Sequence, residues 1–174
     1  MNEIINAMIT RRSIRKFTAE PVPEEKLREI VEAGLYAASS MGRQSPVVIN
    51  VTDAAWQAKI REVNRVIGGW APGFDPFYGA PNILVVLAPK TSPNRVYDGS
   101  LVLGNLMLAA HALGLGSIWI HRAREEFEQP EFRELVAKLG LEGEWEGIGH
   151  CALGYAAGPL PPPPPRNPRR AFRV

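Results

Sequence analysis

LVLGNLMLAAHALGLGSIWI, Leu101 to Ile120, is the longest apolar run in the chain and has the length of a membrane span. Its details argue against one. Asn105 and His111 put polar groups inside the run, and the GLG at 114 to 116 reads as a helix stop followed by a strand. The reading is a helix over about 98–113 and a strand over 117–120, with no membrane contact. Apolar side chains lie on nearly every side of that helix, which predicts burial on nearly every side. A helix laid on one sheet hides a single face, so a second subunit is expected over the other.

The flanking sequence supplies the remaining elements. NEIINAMIT reads as a short helix. In PVPEEKLREIVEAGLYAASS, Pro23 suits a first helical turn and Glu24 and Glu25 complement a helix N-terminus. Leu27, Ile30, Val31, Gly34 and Leu35 form one stripe, predicting a helix that ends near Ser39 and Ser40. VVINVT (47–52) and NILVVLA (82–88) read as buried strands, and Asp53 is positioned to cap a helix running to about Val66. GGWAPGFDPFYGAP (68–81) predicts a loop bordering a ligand. A helix entered at Pro130 covers EFRELVAKLG, and GIGHCALGY (147–155) is the last strand. Strands alternate with helices, which leaves α/β and α+β both open.

A length of 174 residues, 45% of them hydrophobic, suits one compact domain with a real core, taken as residues 1–155. The segment that follows, 156–174, is AAGPLPPPPPRNPRRAFRV; it cannot form a core and is expected as an extended polyproline-type tail. Either it is disordered, or it crosses to a partner and adds the β-like AFRV to the partner's sheet. The single cysteine, Cys151, excludes an intramolecular disulfide, and MNEIINAMIT has neither the basic flank nor the apolar run of a signal peptide. A cytoplasmic protein is expected.

Charge is concentrated at the two ends. Arg11, Arg12, Arg15 and Lys16 contribute +4, and Arg166, Arg169, Arg170 and Arg173 another +4. Those eight leave 12 basic residues against all 18 acidic ones, a balance of −6 for the remainder. A nucleic-acid binder would carry its basic face on the folded body, so no nucleic-acid partner is expected. The pattern suits a small, strongly anionic ligand held where the ends converge; the alternative is a pair of solvated tails.

In an extended RRSIRKF (11–17), Arg11, Ser13 and Arg15 project to one face and Arg12 and Ile14 to the other. Three charge-assisted hydrogen bonds contribute about 6 kcal/mol, tens of micromolar in affinity. A retained cofactor needs an apolar body as well, which points to a phosphorylated molecule with a large flat part. Other chemistries lack their residues. His111, His121, His150 and Cys151 lack metal spacing, there is no Gly-x-Ser-x-Gly elbow, and GLGSIW lacks the third glycine of a dinucleotide fingerprint. Cys151 and His111 read as core residues, whereas His121 follows a strand, where loops line sites. With so few acid–base groups, a cofactor is expected to carry the chemistry.

These stretches resemble the flavin-dependent nitroreductase family. RRSIRKF is similar to its N-terminal Arg-Arg-Ser-x-Arg signature, and AASSMGRQSP, DGSLVLGNLMLAAHALGLGSIWIHR and IGHCALGY with its proline-rich sequel follow in order. The resemblance implies an α+β fold, a nitroreductase-like antiparallel sheet flanked by helices, in an intertwined homodimer with the C-terminal tail exchanged and FMN at the interface. It implies that Arg11, Arg12, Ser13 and Arg15 hold the FMN phosphate, ribityl chain and ring edge, with Arg166 closing on the phosphate. Ser39, Ser40 and Gly42 would come from the other subunit, and the backbone near Ile120 and His121 would lie by the flavin N5. The implied activity is two-step hydride exchange, in which NAD(P)H reduces the flavin and a small-molecule electron acceptor, such as a nitroaromatic or quinone, reoxidises it.

This chain departs from the family's Pro-Ser-x-x-Asn-x-Gln-Pro: Ala38 and Gly42 replace the first Pro and the Asn. It is also short for the family, so long helical insertions over the site are expected to be absent. The altered motif motivates a second reading, a flavin-binding carrier or sensor without efficient turnover. PLPPPPPR (159–166) motivates a third, an interaction module read by a proline-binding domain.

Overall fold

The computed structural model describes residues 1–174. Strand β2, Asn82–Pro89, runs through the middle of the sheet, and Ile83 to Ala88 are all fully withdrawn from solvent. A strand apolar on both faces needs cover on both. β1 (Val47–Val51), β3 (Gly116–Ile120) and β4 (Trp145–Gly154) complete one sheet in the order β1-β2-β4-β3, with every neighbouring pair antiparallel. The fold is thus α+β.

Alternation along the strands divides the core in two. Leu84, Val86, Cys151 and Leu153 face α2 (Glu24–Leu35) and α4 (Arg95–Ala112), which contribute Leu27, Ile30, Val102, Leu103, Leu106 and Ala110. Ile83, Val85, Leu87 and Ala152 face α3 (Ala54–Ile67), α5 (Ala123–Phe127) and α6 (Pro130–Lys138) through Ile60, Phe127, Phe132 and Val136. The Asp53 carboxylate accepts from Trp56 N at 2.8 Å and caps α3 as the sequence predicts. α1 (Glu3–Thr10) lies beside α4 and buries none of its own residues.

Several expectations need correction. Within one chain α4 is buried along one face only: Val96, Tyr97 and Leu101 are exposed, as are Ile4, Ile5, Met8 and Ile9 of α1. β1 is half-buried, with only Val51 buried, because it is an edge strand with one neighbour. α2 stops at Leu35, and Ser40–Gly42 form a separate 3-10 turn, since the Ser39 hydroxyl accepts from Gln44 N instead of serving a helix. α5 was not predicted; five residues are too few to carry a periodic stripe. No helix is long and apolar enough to cross a membrane. From Gly158 to Val174 every residue is exposed and outside regular structure, so AFRV forms no strand within the chain.

Candidate functional site

The basic stretch is threaded along the outer edge of β3 and the exit of β4. Ile14 N donates to the Ser117 carbonyl at 3.1 Å, Thr18 N to Tyr155 at 2.9 Å, and Ala157 N to Lys16 at 3.0 Å. Ile14 and Phe17 are the buried anchors of this segment, and Gly116 lets Ile14 approach: a Cβ there would lie 2.7 Å from Ile14 Cγ1. The last of those hydrogen bonds also fixes where the proline-rich segment departs. That segment returns so that Pro161, Pro162, Pro164 and Arg166 line a cavity of about 320 Å³ together with Arg11, Arg12, Ser13 and Arg15. The two basic ends therefore converge.

Arg12 lines this cavity too, against its expected place on the opposite face. Its Nη1 turns back to the carbonyls of Ile9 (2.8 Å) and Arg11 (2.7 Å), which redirects the side chain. Arg12 Nε and Arg11 Nη1 are buried yet donate to nothing. An unpaired buried guanidinium nitrogen is costly, and an accepting anion beside either one would remove that cost. His111 is half-buried instead of a core residue, with Nε2 2.9 Å from Thr10 Oγ1. Burial holds its pKa below the ordinary value, and the charges of Arg11 and Arg12 push it the same way. Cys151 is a core residue as expected, with its thiol pushed up to about 12 by burial, so it stays protonated.

Ser39 and Gly42 border a separate cavity of about 530 Å³, with Tyr36, Ala38 and Gln44. Ser40 is held beside it. Its N–H donates to the buried Asp98 carboxylate at 3.0 Å, and its hydroxyl accepts from Asn94 Nδ2 at 2.7 Å. Gly42 has φ 64°, a left-handed conformation that glycine and asparagine tolerate best, so replacing the motif's Asn by Gly keeps this backbone shape while removing a side chain. Within one chain the structure does not bring this loop together with the arginines.

At the far end of β3, Ile120 is buried and His121 exposed. The N–H groups of His121 and Arg122 donate to no acceptor in the chain, while the carbonyls of Ile120 and His121 are held from below by His150 and Asn64. Arg122, at φ 80°, lays its guanidinium 4.4 Å from the Trp70 ring centre. Trp70 opens the predicted loop, which Asp75 braces by accepting from Phe77 N and Gly79 N and pairing with Arg61. Sequence reasoning missed Asn64, Asp98, Glu126 and His150. The available signal was a polar residue at a position whose helix or strand neighbours mark it as inward-facing.

The family model described as Nitroreductase family matches residues 8–155. The chain is 32% identical over 179 residues to the FMN reductase (NAD(P)H) of Bacillus subtilis, covering 90% of this chain and 67% of that one. It is 45% identical over 152 residues to an NADH dehydrogenase of Thermus thermophilus, covering 86% and 63%. The chain thus spans about two thirds of the length of these relatives. A crystal structure of a nitroreductase with bound FMN from Bacteroides fragilis superposes over 100% of both chains with a TM-score of 0.90 at 25% identity.

Proposed function

The chain belongs to the nitroreductase family, and from that premise we propose that it is an FMN-dependent NAD(P)H oxidoreductase, acting as a homodimer on nitroaromatics, quinones or similar acceptors. The observation that carries this reading is the pair of buried guanidinium nitrogens without partners, Arg11 Nη1 and Arg12 Nε, beside a cavity that Arg15 and Arg166 also line. Four guanidinium groups and the Ser13 hydroxyl suit a phosphate dianion and the polar chain attached to it. Bound FMN would supply the hydride-accepting and hydride-donating ring.

The chain's own residues then have limited tasks. The arginines anchor the phosphate. The free N–H groups of His121 and Arg122 suit a ring edge that gains electron density, because a fixed amide donor stabilises developing negative charge without reorganising. Trp70, Phe74 and Tyr78 form a run of ring contacts in the 68–81 loop, and Trp119 lies 5.7 Å from the His121 ring; such flat faces favour aromatic acceptors. In the dimer we propose, residues 1–155 form the domain and the apolar faces of α1 and α4 meet their counterparts. Residues 156–174 wrap the second copy, and Ser39, Ser40 and Gly42 are supplied to the flavin across the interface. The test is oxidation of NADH or NADPH by the FMN-loaded protein with p-benzoquinone or a nitrofuran as acceptor. Turnover with either donor is expected; rapid flavin reduction would exclude the carrier, whereas no NAD(P)H oxidation with any such acceptor would count against the enzyme.

A further inference from the structure

Asn64, Glu126 and His150 form a fully buried polar cluster beneath the end of β3, and the proposed activity uses none of them directly. A carboxylate withdrawn from water is costly unless it is paired and hydrogen-bonded. Here the bonds run in one chain. His150 Nδ1 lies 3.3 Å from the Ile120 carbonyl oxygen, and its Nε2 lies 2.8 Å from Glu126 Oε2. Glu126 Oε1 accepts from Asn64 Nδ2 at 2.5 Å, and the same nitrogen donates to the His121 carbonyl at 2.8 Å. With Nδ1 against the carbonyl and Nε2 against the carboxylate, the imidazole bridges the end of β3 and Glu126. Two consecutive carbonyls are thereby tied to α3, α5 and β4 at once.

In a trans peptide the C=O and N–H point in opposite directions, and this chain has no cis bonds. The pairing of Ile120 with His150 across β3 and β4, with the His150 ring beside it, keeps the Ile120 carbonyl inward and turns the His121 N–H outward, and holding the His121 carbonyl through Asn64 does the same for Arg122 N–H. Neither N–H has an acceptor in the chain. Arg122 also keeps a left-handed φ of 80°, a conformation that persists in a long side chain only where the surroundings over-determine it. We propose that Asn64, Glu126 and His150 are positioning residues that aim the N–H groups of His121 and Arg122 at the flavin ring edge. This role rests on the FMN reading above.

Asn64→Ala releases the His121 carbonyl, and His150→Phe, which keeps a ring against Phe77 and leaves the backbone pairing of Ile120 with residue 150 intact, removes the imidazole that holds Glu126 and through it Asn64. Glu126→Gln retains an acceptor for Asn64 and a partner for His150, and so serves as the conservative control. FMN is titrated into each FMN-free protein by fluorescence quenching, and the amide signals of His121 and Arg122 are followed by proton–nitrogen NMR. In the unaltered protein both amide signals move on FMN addition. In Asn64→Ala and His150→Phe the dissociation constant rises about five- to tenfold, the size of one mis-aimed hydrogen bond, and those two signals no longer reach their bound positions. Glu126→Gln stays within about twofold on the same ground. Unchanged affinity in the first two variants, or amide signals in the unaltered protein that ignore FMN, overturns the positioning role and leaves the FMN reading standing. Failure of the unaltered protein to bind FMN removes both. Should Asn64→Ala and His150→Phe not fold, the amide signals of the unaltered protein decide the question.

Discussion

Arg11 and Lys16 are both cationic and five residues apart, yet they occupy different environments. Arg11 lines the converged basic cavity with an unpaired buried nitrogen, whereas Lys16 lies outside it and is exposed. Arg11→Ala is therefore expected to weaken FMN binding about ten- to a hundredfold, the worth of a charge-assisted hydrogen bond, and Lys16→Ala by no more than about twofold. Equal affinities measured by fluorescence titration would remove Arg11 from the phosphate. His111 gives a prediction in pH. Its folded pKa lies below the ordinary 6.5, chiefly through burial and then through Arg11 and Arg12. The unfolded chain takes up the proton first, so the stability from neutral His111 is intact above about pH 6.5 and is lost as pH falls through the folded value. The urea midpoint should decline between about pH 7 and 5, and His111→Gln, which keeps a donor for Thr10, should flatten part of that decline.

At the scale of elements, the contact between β4 and α5 couples the sheet to the site. The pairing of β2 with β4 slips by one residue between Val86 and Leu87, leaving Ile148 as the extra residue of a bulge, and Gly147 beside it admits α5 closely. A Cβ on Gly147 would overlap the Ala123 carbonyl oxygen, which is backbone and cannot swing aside. Gly147→Ala should destabilise the fold by about 1–3 kcal/mol and displace Glu126; a denaturation curve matching the unaltered protein's would contradict that approach. Periodic elements were legible in the sequence: the α2 stripe, the Asp53 cap and the apolar run of β2 each carry a local physical signal. The α5 turn and the Asn64–Glu126–His150 cluster were not, because their partners are brought together by strand order. Adjacent on one strand, His150 and Cys151 face opposite ways, but only the placement of β4 beside β3, with α5 against it, brings an imidazole to the Ile120 carbonyl.

In the whole molecule, the unequal charge distribution was readable and its geometry was not. The two basic ends were visible as residue counts, while their meeting depends on Ala157 being pinned to Lys16 and on the path of the prolines back over Arg11 to Arg15. The expectation of an α4 buried all round needs a second copy to become true, since one chain leaves Tyr97, Leu101 and the apolar side of α1 in solvent. Removing residues 156–174 takes Arg166 from the cavity and, in the proposed dimer, the tail from the second copy. The deletion should leave a folded body by circular dichroism, shift light scattering toward monomer and cause loss of FMN on gel filtration; full FMN retention would exclude the tail from the site. The central claim, that the converged basic ends hold FMN, is tested most directly by the visible absorption spectrum of the purified protein, with the heat-released chromophore identified by mass. The account predicts a yellow protein with flavin bands that releases FMN; a colourless protein that also fails to take up added FMN would contradict it.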